Sequence, residues 1–347
     1  MKLGRVPLPV FLSALFVFLF TCLFNTLIFK NVPHVHDEIG YLFQAKIFEL
    51  GRLYVPSPCE KDAFDFPHMI NNGRWYSQYP PGYPILLLLG LILGAPWLIN
   101  PLLAAGATIL IFYLGKEVYG AGIGLLASVL ASCSIWLLLM SSTMMSHTSS
   151  MFFTVLFLLY LFKSINKPTI ANGILMGLGF GMTFLIRPYS ALLISTPFLF
   201  FYMGRLLKGR KVFLKNAAFA ALIASVFIAS FLLYNQLTNG SPFKMGYIAL
   251  YGDEHGLGFG RTGFTNLSYT PFRGADNAFK NLAELNKHLF GWPISSLLAL
   301  IPLLFIANSS VKERRHDLLL ACGFFALLFG YYFYWSSKAF LGARMLF

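Results

Sequence analysis

An acidic pair, Asp37 and Glu38, directly follows the first membrane-length apolar run of the chain. That run, from about Val6 to Phe29, has no charged residue and is long enough to cross a hydrocarbon core of roughly 30 Å as a helix. A carboxylate at a lipid–water boundary can take a proton from a substrate hydroxyl, which is general-base chemistry. The alternative is that both acids only stabilise the first turn of a helix, where acids are favoured by about 0.3–1 kcal/mol. We favour the catalytic interpretation, because the alternative does not explain the Tyr-Pro-Pro turn that begins at Tyr79.

The composition indicates which elements must position these acids. Apolar residues make up 57% of the chain and charged residues only 11%, against about 25% charged in soluble proteins. We therefore predict an all-α polytopic membrane protein, a single domain over residues 1–347 with about nine spans. After the first run, the spans are expected near 101–118, 121–140, 147–163, 170–186, 189–206, 214–235, 292–308 and 317–335.

The net charge of +13 first suggests a nucleic-acid partner, but the basic residues follow the spans instead. The N-terminus and the connections 163–167, 205–215 and 311–317 are short and basic, so the positive-inside rule places them in the cytoplasm. With Lys116 and Glu117, the inner parts hold 13 basic and 3 acidic residues, and the outer parts hold 13 basic and 10 acidic residues. The basic excess thus reflects membrane topology, and no nucleic acid is expected.

Two segments outside the membrane are large enough for chemistry: a first extramembrane segment at about 30–100 and a second at about 236–291. Residues 84–97 form an apolar stretch that is too short to span and that we interpret as a juxtamembrane helix on the outer face. The second segment is rich in glycine and aromatic residues, a composition that suits both sugar stacking and a membrane interface.

Several short motifs occur in an order that resembles one known superfamily. They are the acidic pair, the Tyr79-Pro80-Pro81 turn, Met145-Ser146-His147, Gly177-Leu178-Gly179-Phe180 leading to Arg187-Pro188, Tyr234-Asn235 with Gly240-Ser241-Pro242-Phe243, and Gly342-Ala343-Arg344. Together they resemble the GT-C fold glycosyltransferases that use polyprenyl-phosphate sugars, such as the aminoarabinose transferases and protein O-mannosyltransferases. Each motif alone is short, so the specificity lies in their order and topology.

The resemblance implies a GT-C-like helix bundle with juxtamembrane helices and a transferase active site. A hexosyl or pentosyl group would pass from a polyprenyl-phosphate donor to a hydroxyl of a glycan, lipid or protein acceptor. In the resembled family an acid of the first outer loop is the base, and in this sequence that acid is Asp37, with Glu38 beside it. Tyr79 of the neighbouring turn is assigned to substrate binding.

Two arginines are candidate ligands for the donor phosphate. Arg187 lies at a helix end before Pro188, where facing lipid would cost a few kcal/mol and binding a phosphate would offset that cost. Snorkelling to the lipid headgroups is the alternative. Arg344 matches the family's late Gly-x-Arg motif, and an interfacial anchor is its alternative role.

His147 begins an apolar helix where many members of the resembled superfamily carry a second acid. This departure leaves three roles open: binding sugar, assisting the base, or capping the helix together with Ser146. His34 and His36 with Asp37 form a His-x-His arrangement that could hold zinc or manganese, with His68 farther along the chain. Histidines in a loop are more often solvated, so a divalent metal stays an open alternative and no metal ligand is assigned.

A transporter or lipid flippase is the main competing class. It would carry ionisable residues at mid-membrane depth and paired repeats, and this sequence has nearly charge-free spans and no internal duplication. The sequence ends at Phe347, directly after the Gly-x-Arg motif, so we expect further spans or an outer domain beyond it. The short loops favour a bacterial inner membrane with the site on its outer face.

Overall fold

The computed structural model describes residues 5–207, 211–263, 267–298, 301 and 311–337. The described part is helical almost throughout, which confirms the predicted all-α polytopic class. The long helices are α1 Leu8–Phe24, α4 Ile99–Tyr119, α5 Ala121–Ser132, α6 Ile135–Ser141, α7 His147–Asn166, α8 Ile170–Ile186, α9 Pro188–Leu206, α10 Lys211–Asn239 and α13 Val311–Tyr332. Helix α1 continues as a π-helical turn, Asn25–Phe29.

The first extramembrane segment folds as a small α/β unit on one end of the bundle. It contains α2 His36–Glu49, α3 Gly82–Ile92, and the short strands β1 Val55–Pro56, β2 Met69–Asn71 and β3 Arg74–Ser77. The strands pair antiparallel in the order β1-β3-β2, with Val55 opposite Trp75 and Ile70 opposite Tyr76. A 3₁₀ turn, Lys61–Phe64, links β1 to β2.

Helix α3 is shorter than a membrane span, as expected for residues 84–97. It ends at Ile92, and after the cap residue Leu93, Gly94 adopts a left-handed φ of 70°, which reverses the chain toward a 3₁₀ turn at Pro96–Leu98. Helix α4 follows at once, and Pro101 lies in its first turn, where proline is tolerated.

The second extramembrane segment contains α11 Gly246–Tyr251, a 3₁₀ turn Asp253–His255 and α12 Pro271–His288. Helix α12 begins with a proline after Thr270, whose side chain accepts a hydrogen bond from the backbone N–H of Arg273. The segment is tied to the bundle near its end, because Ser134 donates a hydrogen bond of 2.6 Å to the Leu289 carbonyl.

Among the described residues, four helical segments are long and apolar enough to cross a membrane: Leu8–Phe29, Pro96–Tyr119, His147–Asn166 and Lys211–Asn239. The pair α5 and α6 makes a fifth if it forms one span. Helix α8 is apolar but has only 17 residues. Most of the predicted span 292–308 lies outside the described residues, and the described stretch 292–298 contains no α-helix. The total of nine spans stays a prediction.

The predicted continuous span 121–140 is wrong in one respect, because the helix is broken between Ser132 and Ile135 with a bend of 59°. Ser134 causes the break locally: its backbone is extended and its side chain accepts a hydrogen bond from the N–H of Leu137, which starts α6 as a new helix.

The basic connections meet at the end of the bundle opposite the first extramembrane segment. At that end Asn166 donates to Glu117 over 2.7 Å, and Asn216 donates to Ser164 over 3.1 Å. Tyr119 also hydrogen bonds to Asp317 there. This arrangement agrees with the topology derived from the positive-inside rule.

Glycines allow α8 to pack closely on its neighbours. A Cβ built on Gly173 would lie 2.3 Å from the Asn216 carbonyl oxygen, and one on Gly177 equally close to that of Ala220, both on α10. On another face of α8, a Cβ on Gly179 would lie 2.5 Å from the backbone nitrogen of Phe157 on α7. Close backbone approach through small residues is the usual way in which membrane helices associate without a hydrophobic driving force.

We expect Gly177→Ala to destabilise the bundle by about 1–3 kcal/mol, because the new methyl group collides with backbone that cannot move aside. Gly122→Ala on α5 is the matched control, since no atom lies within 4 Å of its Cβ position. Thermal unfolding of the purified protein in detergent would measure both. Equal melting temperatures for the two variants would contradict this account of the helix contact.

Candidate functional site

Helix α2 directs the side chains of the two acids of the predicted pair to different sides. It begins at His36 after Val35, which is extended, so Asp37 and Glu38 both lie in the first turn. Neighbouring residues of a helix point about 100° apart. The Asp37 side chain is 15% exposed, whereas Glu38 is 3% exposed. The structure thus gives the two carboxyl groups different surroundings.

Asp37 contacts two side chains of the first extramembrane segment. The Tyr79 hydroxyl donates a hydrogen bond to Asp37 Oδ1, and Nε2 of His68 lies 3.6 Å from the same oxygen. Desolvation and the nearby Asp37 charge raise the pKa of Tyr79 well above its usual range, so this hydroxyl stays a donor. The carboxylate is therefore oriented by a neutral phenol and an imidazole.

His68 is held in place from several sides. Its Nδ1 lies 2.8 Å from the Gln78 side-chain nitrogen and 3.1 Å from the Tyr251 hydroxyl. With the Gln78 amide in this orientation its nitrogen donates to Nδ1, and the neutral imidazole then carries its hydrogen on Nε2, on the side of Asp37. His68 also has a left-handed φ of 68°, which is uncommon for a residue with a side chain and typical of functional sites.

Strand β3 and helix α2 position the Tyr79 turn. The Gln44 side chain of α2 accepts a 3.0 Å hydrogen bond from the Ser77 N–H and donates to the Leu53 carbonyl. The Tyr79 ring packs over Gly40, where a Cβ would lie 3.0 Å from the ring. Gly40 therefore leaves the space in which the tyrosine reaches Asp37.

Glu38 joins α2 to the turn before α7. Its carboxylate accepts a 3.0 Å hydrogen bond from the His34 N–H, and the Met144 N–H also hydrogen bonds to it. Burial nevertheless raises the pKa of Glu38 to about 7, because desolvation outweighs these hydrogen bonds. The contacts of Glu38 are those of a residue that positions α2.

Arg187 lies at the junction of α8 and α9, with its side chain directed to the start of α7. Its Nε donates to Ser146 Oγ over 3.2 Å, and one terminal nitrogen donates to His147 Nε2 over 2.8 Å. His147 is 1% exposed. Ser146 Oγ also lies 3.0 Å from the Tyr41 hydroxyl of α2, so the arginine is connected to the first extramembrane segment.

The capping role predicted for Ser146 is wrong. Ser146 occupies the N-cap position of α7 but makes no side-chain cap hydrogen bond. Its backbone is in the helical region, and its hydroxyl is taken by Arg187 and Tyr41 instead. The predicted start of the helix at His147 is confirmed.

Asp37 and Arg187 belong to one cluster of polar and aromatic side chains. A series of contacts links the two residues. Arg187 donates to Ser146, and the Ser146 hydroxyl hydrogen bonds to Tyr41. Tyr41 packs against Tyr79, which donates to Asp37. The Tyr41 and Tyr79 rings lie 4.4 Å apart between centroids, and Tyr247 of α11 packs edge-on against Tyr79 at 5.8 Å. A base and a fixed cation in one partly buried cluster can take a proton from a hydroxyl and hold an anionic leaving group.

The alternative metal arrangement of His34, His36 and Asp37 is not assembled in the part of the chain that the structure describes. His34 donates to the Phe29 carbonyl over 2.8 Å, and the His36 ring packs edge-on against Phe66. Within those residues, no three His, Cys, Asp or Glu side chains are close enough to hold a metal ion. The residues present at Asp37 do not fit a metal site. Arg344 lies outside the described residues.

Sequence reasoning missed several members of the cluster. It treated His68 only as part of a possible metal arrangement and gave no role to Tyr41. Tyr247 and Tyr251 entered it only through the aromatic composition of the second segment. A non-glycine residue with positive φ is invisible in one sequence, and Tyr251 is far from His68 along the chain. The one available signal was that Tyr41 shares a helix with Asp37.

A comparison with protein families adds an independent observation. Residues 82–234 match the model of the dolichyl-phosphate-mannose-protein mannosyltransferase family. The match confirms the resemblance to GT-C glycosyltransferases. It supports a membrane glycosyltransferase with a polyprenyl-phosphate-linked donor, and it includes His147 and Arg187 but not Asp37. A sequence comparison with curated proteins found no significant match.

The pKa of Glu38 predicts a specific dependence of stability on pH. Between its ordinary value of 4.5 and its folded value of about 7, the folded state keeps the proton and the unfolded state releases it. The free energy of unfolding should therefore fall as pH rises through this window. Glu38→Gln keeps an acceptor oxygen and cannot ionise, so we expect it to exceed the wild type in stability above the window, by up to a few kcal/mol at about 1.4 kcal/mol per pKa unit.

Unfolding of the purified protein in detergent, followed across that pH range, would measure this difference. Glu49→Gln, an exposed position at the end of α2, is the matched control. Identical pH dependence in the wild type and Glu38→Gln would show that Glu38 carries no raised pKa.

Proposed function

We propose that the chain is a membrane glycosyltransferase that moves a sugar from a polyprenyl-phosphate donor to an acceptor hydroxyl on the outer face of the membrane. The observation that carries the proposal is that the Asp37 carboxylate and the Arg187 guanidinium share one cluster, joined through Tyr41, Ser146 and Tyr79. The family match over residues 82–234 supports the class of donor.

Asp37 acts as the general base. The acceptor hydroxyl gives its proton to the carboxylate as its oxygen forms a bond to the anomeric carbon of the donor sugar. The bond from that carbon to the phosphate oxygen breaks, and the polyprenyl phosphate leaves with the electron pair. Tyr79 and His68 orient the carboxylate through Oδ1, and a positioned base of this kind contributes about 10²–10⁴-fold to rate.

Arg187 binds the donor phosphate and stabilises the charge that grows on it as the bond breaks. Ser146 and His147 hold the guanidinium in one orientation, which lowers the entropic cost of using it. His147 accepts a hydrogen bond from Arg187, so its role in substrate binding is to position the Arg187 guanidinium for the donor phosphate. Arg344 is a second phosphate ligand in this proposal.

The remaining roles follow from position. Glu38 fixes the first turn of α2 and thereby Asp37, and Tyr79 lies where the reacting sugar must bind. The basic connections occupy the opposite end of the bundle, which supports a cytoplasmic location for them and an outer-face site, as in a bacterial inner membrane. The sugar is a hexose or pentose, and the acceptor a glycan, lipid or protein hydroxyl.

We expect Asp37→Asn to reduce transfer by at least about 10²-fold while leaving donor binding intact, because the amide keeps the shape and cannot take a proton. The measurement is transfer of radiolabelled sugar from polyprenyl-phosphate donors in membranes that contain each variant. Asp62→Asn, an exposed acid of the same segment, serves as the control. Full turnover by Asp37→Asn would refute its role as the base.

We expect Arg187→Ala to weaken donor binding by about 10–100-fold, since a hydrogen bond to a charged group contributes about 1.5–3 kcal/mol. Arg187→Lys keeps the charge and loses the planar guanidinium, so its affinity for the donor should lie between those of the wild type and Arg187→Ala. Binding of a radiolabelled donor lipid would measure all three, with Arg52→Ala as the exposed control. An unchanged donor affinity in Arg187→Ala would remove this residue from the phosphate site.

A further inference from the structure

A separate cavity of about 190 Å³ lies between the second extramembrane segment and the end of α13. Three polar side chains from the first turns of α12 line one side of it: Arg273, Asp276 and Asn277. Trp335, which follows α13 and is 7% exposed, lines another side. Neither Asp37 nor Arg187 is among the described residues that line this cavity.

The loop before α12 completes the cavity with Thr262, Leu267 and Tyr269. The Tyr269 hydroxyl donates a hydrogen bond of 2.9 Å to the Tyr332 carbonyl, and Tyr269 is only 4% exposed. Gly263 has a φ of 53° and lies so close to Trp335 that a Cβ would be 2.5 Å from the indole. The loop therefore holds the indole on one side.

The lining suits a ring that carries several hydroxyl groups. Trp335 and Tyr269 contribute aromatic atoms to the lining, while Asn277, Asp276 and Arg273 offer donors and acceptors in planar groups. A saccharide has the same mixture, with C–H groups on its faces and hydroxyl groups at its edge. The volume is below the roughly 300–1,000 Å³ of pockets for drug-sized ligands, so one ring is the appropriate size.

The charge of the cavity favours a neutral ligand. The described lining contains one cation, Arg273, and one anion, Asp276, so its formal charges balance. Lys280, which pairs with Asp276 over 2.6 Å, is not part of that lining. A site for a phosphate would present an excess of cations, as the Arg187 side of the main cluster does. The donor phosphate is thus the less suitable occupant.

Aromatic contacts connect the cavity to Asp37. Trp335 packs edge-on against His255 at 4.6 Å, and His255 stacks on Tyr251 at 4.7 Å between ring centroids. Tyr251 then contacts His68, which faces Asp37. Burial lowers the pKa of His255 to about 4, so this histidine is neutral at physiological pH.

We propose that this cavity binds one saccharide ring of the acceptor, and thereby holds the hydroxyl-bearing end of the same acceptor toward Asp37. The inference rests on the proposed transferase function and adds the class of acceptor, a glycan or glycosylated molecule. A bare protein or lipid hydroxyl would leave the cavity without an occupant.

The test measures binding without any donor, so it is independent of transfer. The full chain in lipid nanodiscs is titrated with the methyl glycosides of mannose, galactose and N-acetylglucosamine, and with glycerol as a polyol that has no ring. Hydrogen–deuterium exchange at residues 267–277 reports occupancy. The variants are Asn277→Ala and Arg273→Gln in the cavity and Lys287→Gln, an exposed control on the same helix.

We expect at least one glycoside, but not glycerol, to protect these residues in the wild type and in Lys287→Gln. Each cavity variant should need about tenfold more glycoside to reach the same protection, because it loses the equivalent of about one hydrogen bond to the ligand. Absence of protection by all three glycosides, equal protection by glycerol, or unchanged binding in both cavity variants would overturn the proposal. If Asp37→Asn keeps full transfer activity and glycoside binding persists, the proposed catalytic role fails and the cavity assignment stands.

Discussion

The close contact between the start of α3 and the end of α8 determines where the two halves of the site meet. A Cβ on Gly82 would lie 2.6 Å from the carbonyl carbon of Leu185 and 2.7 Å from its oxygen, so only glycine allows this approach. Gly82 follows the turn that carries Tyr79, and Leu185 precedes Arg187 by two residues. The side chain that orients Asp37 and the guanidinium are thus brought together by one backbone contact.

Much of the architecture follows from the order of charges and apolar runs along the chain. The end of a helix at Arg187 before Pro188 and the start of α7 at His147 were both predicted from local sequence. Each depends on a strong local rule, such as the length of a span or the effect of proline on a helix. The break at Ser134 was not predictable, because a serine within an apolar run is equally compatible with a continuous helix.

The composition of the site depends on contacts between distant parts of the chain, which one sequence does not contain. Serine before a helix is ordinarily a cap, but Ser146 meets Arg187 and Tyr41 only because three helix ends converge. Likewise Asp37 and Glu38 are adjacent acids in the first turn of one helix, so the local sequence does not distinguish their roles. They differ in how deeply the fold buries them. Packing, which decides burial, therefore decides which acid can exchange protons with a substrate.

The second extramembrane segment is fastened at both of its ends. At its start the Tyr76 hydroxyl donates to the Thr238 carbonyl over 2.9 Å, and at its end Ser134 holds the Leu289 carbonyl over 2.6 Å. Between these ends the Gly258 N–H donates a hydrogen bond of 2.9 Å to the Phe333 carbonyl, and the Tyr269 hydroxyl donates one of 2.9 Å to the Tyr332 carbonyl. The segment is therefore held along its length and not only at its ends, so the loss of one of these hydrogen bonds would leave the others to keep it against the bundle.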